Sequence, residues 1–385
     1  MKDRDSLPRR VLLLLFESPQ GMERLLGMSL KDRLIRSATR AGWNVVVAEG
    51  GGGEVSLEEF APRGGDRLVI CATNVVMTPR FQKTVAGGTW RPDEVIRFRP
   101  SCGIFDVGEE FRWIGLGDAG ADAETFLERL SEDVARTESP PQNRNVVEVE
   151  GEDDRERAEE ILLRDLIKDN EGFMSRHFER KISLFVTRRI VDSGITPNGM
   201  SLISIGVGLL GAPFFLSVRP TKQVTGSLLF LAHSILDGCD GELARLTFQE
   251  SKGGGELDFW GDNLVHSAIF SAISIGWART IDRRWPLLLG AVATLGGLVS
   301  AGVVYVSTMR NKNTDGPLFR NIVEKPDTRM EKAMDALARR DFIYLLLLLS
   351  LRGRAHWFLV AAALGAPLYA LALLRLTLAP RPLAS

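Results

Sequence analysis

The chain has 385 residues, enough for two domains of ordinary size. Its charged fraction of 25% and mean hydropathy of +0.01 average over two unlike halves. Residues 1–195 are crowded with Arg, Asp and Glu, whereas 196–378 hold apolar runs, some of about 20 residues, the length needed to cross a ~30 Å hydrocarbon core. A purely soluble protein is thereby excluded, and a net charge of −1 leaves no global basic field for nucleic acid. Cys71, Cys102 and Cys239 are far apart and form no CxxC pair. They exclude a disulfide scaffold or a cysteine zinc site as the organising feature.

The start, MKDRDSLPRR before VLLLLF, has a charged head, but its apolar run is too short for a signal peptide. The first half is therefore expected in the cytosol. Val11 to Phe16 predicts a buried parallel strand, Leu30 to Ala41 a helix stopped by Gly42, and Asn44 to Ala48 a second strand. A Gly-rich turn follows at Gly50 to Gly53, then a third strand from Arg67 to Ala72. Strands alternating with helices predict an α/β domain with a parallel sheet over residues 1–150. Ser139 to Arg144 reads as a linker, and Asp153 to Asp169 as a charged helix leading toward the membrane. Residues 172–194 mix Phe, Ile, Leu and Val with five Arg or Lys, a composition suited to an interfacial amphipathic helix. Residues 151–195 thus join the first domain to a membrane domain over 196–385.

That second domain is read as all-α, with six crossings near 197–218, 223–246, 259–278, 285–308, 341–351 and 355–374. The fifth is short unless Ala333 to Arg340 extends it. Both termini then share one side. The flanks on that side carry the larger basic load, with five Arg or Lys in 172–194 and eight in 309–340. The positive-inside rule makes it cytosolic. The reading is a multi-pass protein of the cell (inner) membrane. No internal repeat is visible.

Each Asp at the centre of a membrane helix costs about 2.5–3.5 kcal/mol on insertion scales, yet Asp237, Asp240, Asp258 and Asp262 cluster in one helical pair. Spacings of three and four place each pair on one helix face. If the Gly253-Gly254-Gly255 turn joins antiparallel neighbours, the four carboxylates converge. One or two divalent cations relieve their repulsion, and carboxylate oxygens suit Mg²⁺ or Mn²⁺. Residues 237–262, DGCDGELARLTFQESKGGGELDFWGD, fit D-x-x-D-G-x-x-A-R-x8-G-x3-D-x3-D at all eight fixed positions. Chance gives such a fit with probability on the order of 10⁻¹⁰ per start position.

On these residues the chain resembles the CDP-alcohol phosphotransferase family from about Phe173 onward, including the Thr196-Pro197-Asn198 entry to the first crossing. The resemblance implies that an alcohol attacks the β-phosphorus of a CDP-alcohol and displaces CMP. It makes Asp237, Asp240 and Asp258 ligands of Mg²⁺ or Mn²⁺, with two ions expected. Asp262 becomes the general base, touching the second ion as well. Gly241, Ala244 and Gly254 let backbone approach the nucleotide. Arg245 either contacts phosphate or pairs with an aspartate, and Asn198 either bonds nucleotide or motif backbone or caps its helix. Arg310, Lys312 and Arg340 either gather an acceptor phosphate or anchor the crossings. A homodimer is also implied.

An α/β domain ahead of such a membrane part resembles the bifunctional fusions of an inositol-1-phosphate cytidylyltransferase with a di-inositol-phosphate phosphate synthase. Residues 27–50 are similar to the first helix and second strand of sugar-nucleotide nucleotidyltransferases, and 175–198 to the elbow helix of such fusions. A working nucleotidyltransferase needs a Gly-rich loop after its first strand. Here FESPQGMERL has only Gly21, with Arg24 as a remnant of the basic residue, and Asn74 replaces the expected metal-binding aspartate. The domain is read as a degenerate nucleotidyltransferase. Inositol-type substrates are the first expectation, and phospholipid synthesis from CDP-diacylglycerol the alternative. An ion transporter would also place acids in the membrane, but no inverted repeat is seen. A non-catalytic scaffold would not need to keep all four aspartates. His177, His233, His266 and His356 show no metal spacing; His233, four residues before Asp237, reads as an interior residue.

Overall fold

The computed structural model describes residues 10–48, 62–88, 94–108, 122–133, 136–138, 145–167, 178–309 and 342–378. A first compact unit runs to Lys168, and a second begins at Asp169.

The first unit forms around β1 (Val11–Phe16), whose six residues are all buried. Helix α1 (Leu30–Arg40) starts where the Ser29 hydroxyl accepts from the Asp32 amide. It stops before Gly42, whose φ of +79° suits glycine. Strands β2 (Asn44–Ala48) and β3 (Arg67–Ala72) flank β1, both parallel to it. These are the three strands expected from the apolar runs.

Beyond β3 the sheet departs from the all-parallel expectation. After β4 (Val75–Met77) and α2 (Pro79–Gly87) come β5 (Glu94–Arg99) and β6 (Cys102–Asp106). These last two pair antiparallel, and β6 is antiparallel to β3. Only Pro100 and Ser101 separate them, whereas a parallel crossover needs a dozen residues or more. Helix α3 (Ala123–Asp133) and β7 (Arg136–Glu138) follow, giving the sheet order β2-β1-β3-β6-β5-β7. A separate ribbon pairs β8 (Val146–Glu148) with β4, and α4 (Glu152–Asp165) is the expected charged helix. The expected turn at Gly50 to Gly53 and the linker at 139–144 lie outside the described residues.

Two pairings lock β3 to β6. Arg67 is buried at 1% exposure and makes a forked ion pair with Asp106, at 2.6 and 2.8 Å, from the directly opposite register position. At the other end Cys71 faces Cys102, with Sγ atoms 3.0 Å apart. Distance in sequence therefore did not separate these two cysteines in space. Burial pushes the Cys71 thiol well above its usual range, the Cys102 contact adding to the effect. Reactivity needs the thiolate and access. Both thiols are accordingly expected to resist iodoacetamide at pH 8 in the folded protein and to react after unfolding in guanidinium, read by mass spectrometry. Alkylation of the native protein at the rate of a free thiol would contradict this burial.

The second unit is helical: α5 (Arg180–Ile190), α6 (Pro197–Gly211), α7 (Pro220–Thr247), α8 (Lys252–Ile281), α9 (Trp285–Val304), α10 (Phe342–Ser350) and α11 (Ala355–Leu378). Among the described residues, four segments are long and apolar enough to cross a membrane: Pro197–Leu216, Lys252–Ile281, Trp285–Ser307 and Ala355–Arg375. Helix α7 has 28 residues but carries Asp237, Asp240, Glu242 and Arg245 toward its C-terminal end. Helix α10 shows 9 residues, about 13 Å at 1.5 Å per residue. Its expected extension over 333–340 lies outside the described residues. Helix α8 is central, packing on α6, α9 and α11. Phe215, Phe230, Val265, Ile269, Leu346 and Leu359 build the core there. Around α5, Phe178, Ile182 and Phe185 are exposed along one side, while Ser183 and Thr187 are buried.

Candidate metal centre

The aspartates sit where α7 and α8 approach their shared loop, residues 248–251. The expected glycine turn is not that loop. Gly253 to Gly255 form the first turn of α8, because the Ser251 hydroxyl accepts from the Gly254 amide at 3.0 Å and caps the helix. Three glycines in a row read as a breaker, but a strong cap overrides their weak helix propensity.

Carboxylate oxygens of Asp237, Asp240 and Asp258 lie within 4.8 Å of one another. Asp237 and Asp240 are buried at 6% exposure, and the Ser201 hydroxyl of α6 donates to Asp240 Oδ2. Three mutually close, largely buried carboxylates form the all-oxygen donor set that hard divalent cations take. The trio therefore fits a metal ion.

Asp262, one turn beyond Asp258 on α8, stands outside that trio. Its Oδ1 lies 3.2 Å from Nε2 of His233, which reaches it from α7. His233 is buried at 2% exposure, and its Nδ1 bonds the Ser204 carbonyl at 2.9 Å. A carbonyl only accepts, so Nδ1 carries a proton and Nε2 is turned toward Asp262. From the residues alone His233 reads as an interior histidine with no role in the site. Its only signal was the four-residue spacing to Asp237, and the partner comes from another helix.

Asn198 and Gly254 are adjacent: a Cβ on residue 254 would stand 2.7 Å from Asn198 Oδ1. The helix cap below Asn198 is Thr196, whose hydroxyl accepts from the Gly199 amide at 3.1 Å, so Asn198 is not the cap. Arg245 folds back along its own helix, with Nη1 placed 3.2 Å from where a Cβ on Gly241 would be. Ala244 is buried at 9% exposure on α7. The structure thus gathers Asp237, Asp240 and Asp258 and sets Asn198 against Gly254. Arg310, Lys312 and Arg340 lie outside the described residues.

The three close carboxylates and Asp262 all fall on the D-x-x-D-G-x-x-A-R-x8-G-x3-D-x3-D frame, and the segment that carries it has relatives among known proteins. Residues 195–365 match the model of the CDP-alcohol phosphatidyltransferase family. The matched segment contains every described residue of the candidate metal centre. The bifunctional IPC transferase and DIPP synthase of Archaeoglobus fulgidus is 34% identical over 148 residues, 38% of this chain and 29% of that protein. Its namesake from Thermococcus kodakarensis is 30% identical over 191 residues, 48% of this chain and 41% of that one. The chain thus covers well under half the length of either relative. Among solved structures, the phosphatidylinositol phosphate synthase of Mycobacterium tuberculosis with CDP-DAG bound is 18% identical. It covers 51% of this chain and 94% of that one, with a TM-score of 0.35.

Proposed function

We propose that this chain is an integral-membrane transferase that moves a substituted phosphate from a CDP-alcohol to a second alcohol and releases CMP, with inositol-type substrates on both sides. The observation that carries the reading is the carboxylate trio lying inside the segment that matches the phosphatidyltransferase model. The inositol choice rests on the relatives named DIPP synthase. Six crossings, a cytosolic site and first domain, and a homodimer belong to the same proposal.

Asp237, Asp240 and Asp258 are the residues to hold Mg²⁺ or Mn²⁺, as one or two ions. Such a metal, when bound, neutralises pyrophosphate and stabilises the departing phosphate. The chain's own groups do the rest. Asp262 takes the proton of the attacking hydroxyl, and His233 holds that carboxylate at Oδ1 so that its other oxygen can face the acceptor. Gly241, Ala244 and Gly254 keep side chains off the cytidine path, and Asn198 borders it beside Gly254. Arg245 bonds donor phosphate, and Arg310, Lys312 and Arg340 attract an acceptor phosphate.

The first domain supports transfer in another way than by making the CDP-alcohol. The segment after β1 is tied down: the Ser18 amide donates to Thr73 Oγ1 at 2.8 Å, and a Cβ on Gly21 would overlap the same side chain. Asn74 is buried at 4% exposure and donates to the Val149 carbonyl at 3.1 Å. Backbone groups that cradle a triphosphate must face outward, and Asn74 supplies no anionic charge for a metal.

The test is CMP release by the purified chain with Mg²⁺ or Mn²⁺ and inositol phosphate as acceptor. CDP-inositol is offered in one reaction and CDP-diacylglycerol in another. Release with CDP-inositol is expected. Release with CDP-diacylglycerol alone would replace the soluble product by a phospholipid, and no release in either would remove the inositol assignment.

A further inference from the structure

At 100° per residue, Asp237, Asp240, Gly241 and Ala244 occupy one face of α7, whereas Gly238, Cys239 and Glu242 centre about 150° away. The second set fills variable positions of the aspartate frame, so the frame itself assigns it nothing. All three meet α5. Glu242 is fully buried, at 0% exposure, and accepts from Arg180 Nη1 at 2.7 Å, Ser183 Oγ at 2.6 Å and Thr187 Oγ1 at 2.7 Å. Those donors recur at i, i+3 and i+7, along one face of α5. The Cys239 thiol donates to the Ser183 carbonyl at 3.5 Å. Gly238 leaves the passage for Arg180, since a Cβ there would come within 2.9 Å of Nη1.

We propose that Glu242 is a positioning residue: gripped by Arg180, Ser183 and Thr187, it sets the rotation of α7 that presents Asp237 and Asp240 to the metal. The inference rests on the metal-site reading above. A buried carboxylate is a costly means of packing two helices, since similar apolar residues serve stability as well or better. What it supplies is direction. Apolar surfaces let a helix slip about its axis, whereas three hydrogen bonds from a single face do not. A 20° slip would displace a carboxylate at the rim of α7 by about 2 Å, as far as a whole Mg²⁺–oxygen bond of roughly 2.1 Å. Holding α7 still is thus a condition for the trio to act as one donor set.

The experiment is Mn²⁺ titration of the full chain in detergent, followed by the electron paramagnetic resonance signal of free Mn²⁺, with melting temperature measured in parallel. E242Q keeps the shape and removes the charge. S183A/T187A keeps the ion pair and removes two hydrogen bonds, so it covers the case in which E242Q does not fold. S227A breaks the bond between Ser227 and Ser350, 2.8 Å long and likewise buried on α7, and is the control for loss of stability alone. Mn²⁺ affinity is expected to fall about tenfold in E242Q and in S183A/T187A, the lower end of what outer partners of metal ligands contribute. S227A should melt earlier and bind Mn²⁺ like the wild type. Affinities within twofold of wild type in both α5-contact variants, or an equal loss in S227A, would overturn the positioning role while leaving the metal site standing. A wild-type chain that takes up no Mn²⁺ would instead overturn the metal-site reading, and this inference with it.

Discussion

Asp262→Asn is expected to lower CMP release by about 10³-fold, within the range that a positioned general base contributes, while the protein still folds and still binds CDP-alcohol. The substitution preserves size and leaves an amide oxygen to meet His233 Nε2, so the 3.2 Å contact survives. What is lost is the negative charge and, with it, the capacity to take a proton. Asp262 lies outside the close carboxylate trio, so Mn²⁺ affinity should stay within a few-fold of wild type. A stopped turnover with intact metal and donor binding is the signature of a step made only in the transition state. Full activity would remove Asp262 from the role, and a large loss of Mn²⁺ affinity would move it into the ligand set.

What the sequence shows and hides about this site follows from how local each signal is. The aspartates were legible because their spacing is carried by two continuous helices, where intervals of three and four residues fix a face whatever surrounds them. The three strands β1 to β3 were legible because a short run, apolar throughout or in all but its first residue, has few other places to be. The hairpin of β5 and β6 was not, for its two-residue link Pro100-Ser101 lacks the Asn-Gly or Asp-Gly signal of a tight hairpin turn, and nothing local in VIRFRPSCGIFD says that β6 also joins β3. The meeting of Cys71 with Cys102 is a consequence of that register. His233 escaped for a related reason: both its partners, Ser204 and Asp262, belong to other helices. Glu242 was hidden differently, inside the aspartate frame but at a position the frame leaves open. Its meaning appears only when α5 is seen to supply the three donors.

Stripping divalent metal with EDTA is expected to abolish CMP release, and adding back Mg²⁺ or Mn²⁺ to restore it. The geometry makes this the sharper of two alternatives. Carboxylates with oxygens within 4.8 Å of one another, largely buried in a helical unit, can be stabilised by protons or by a cation. Protons would leave a structural cluster indifferent to chelation; a cation makes it the centre of pyrophosphate chemistry. Asp258→Asn separates these cases further. It removes one anionic oxygen donor from α8 and leaves Asp237 and Asp240 on α7 in place. The variant should need more than tenfold higher Mg²⁺ for half-maximal release, with part of the rate returning at saturating metal. Activity indifferent to EDTA, or an Asp258→Asn variant with an unchanged Mg²⁺ requirement, would mean that the trio shares protons rather than a metal. The phosphate charge would then have to be met by arginines such as Arg245.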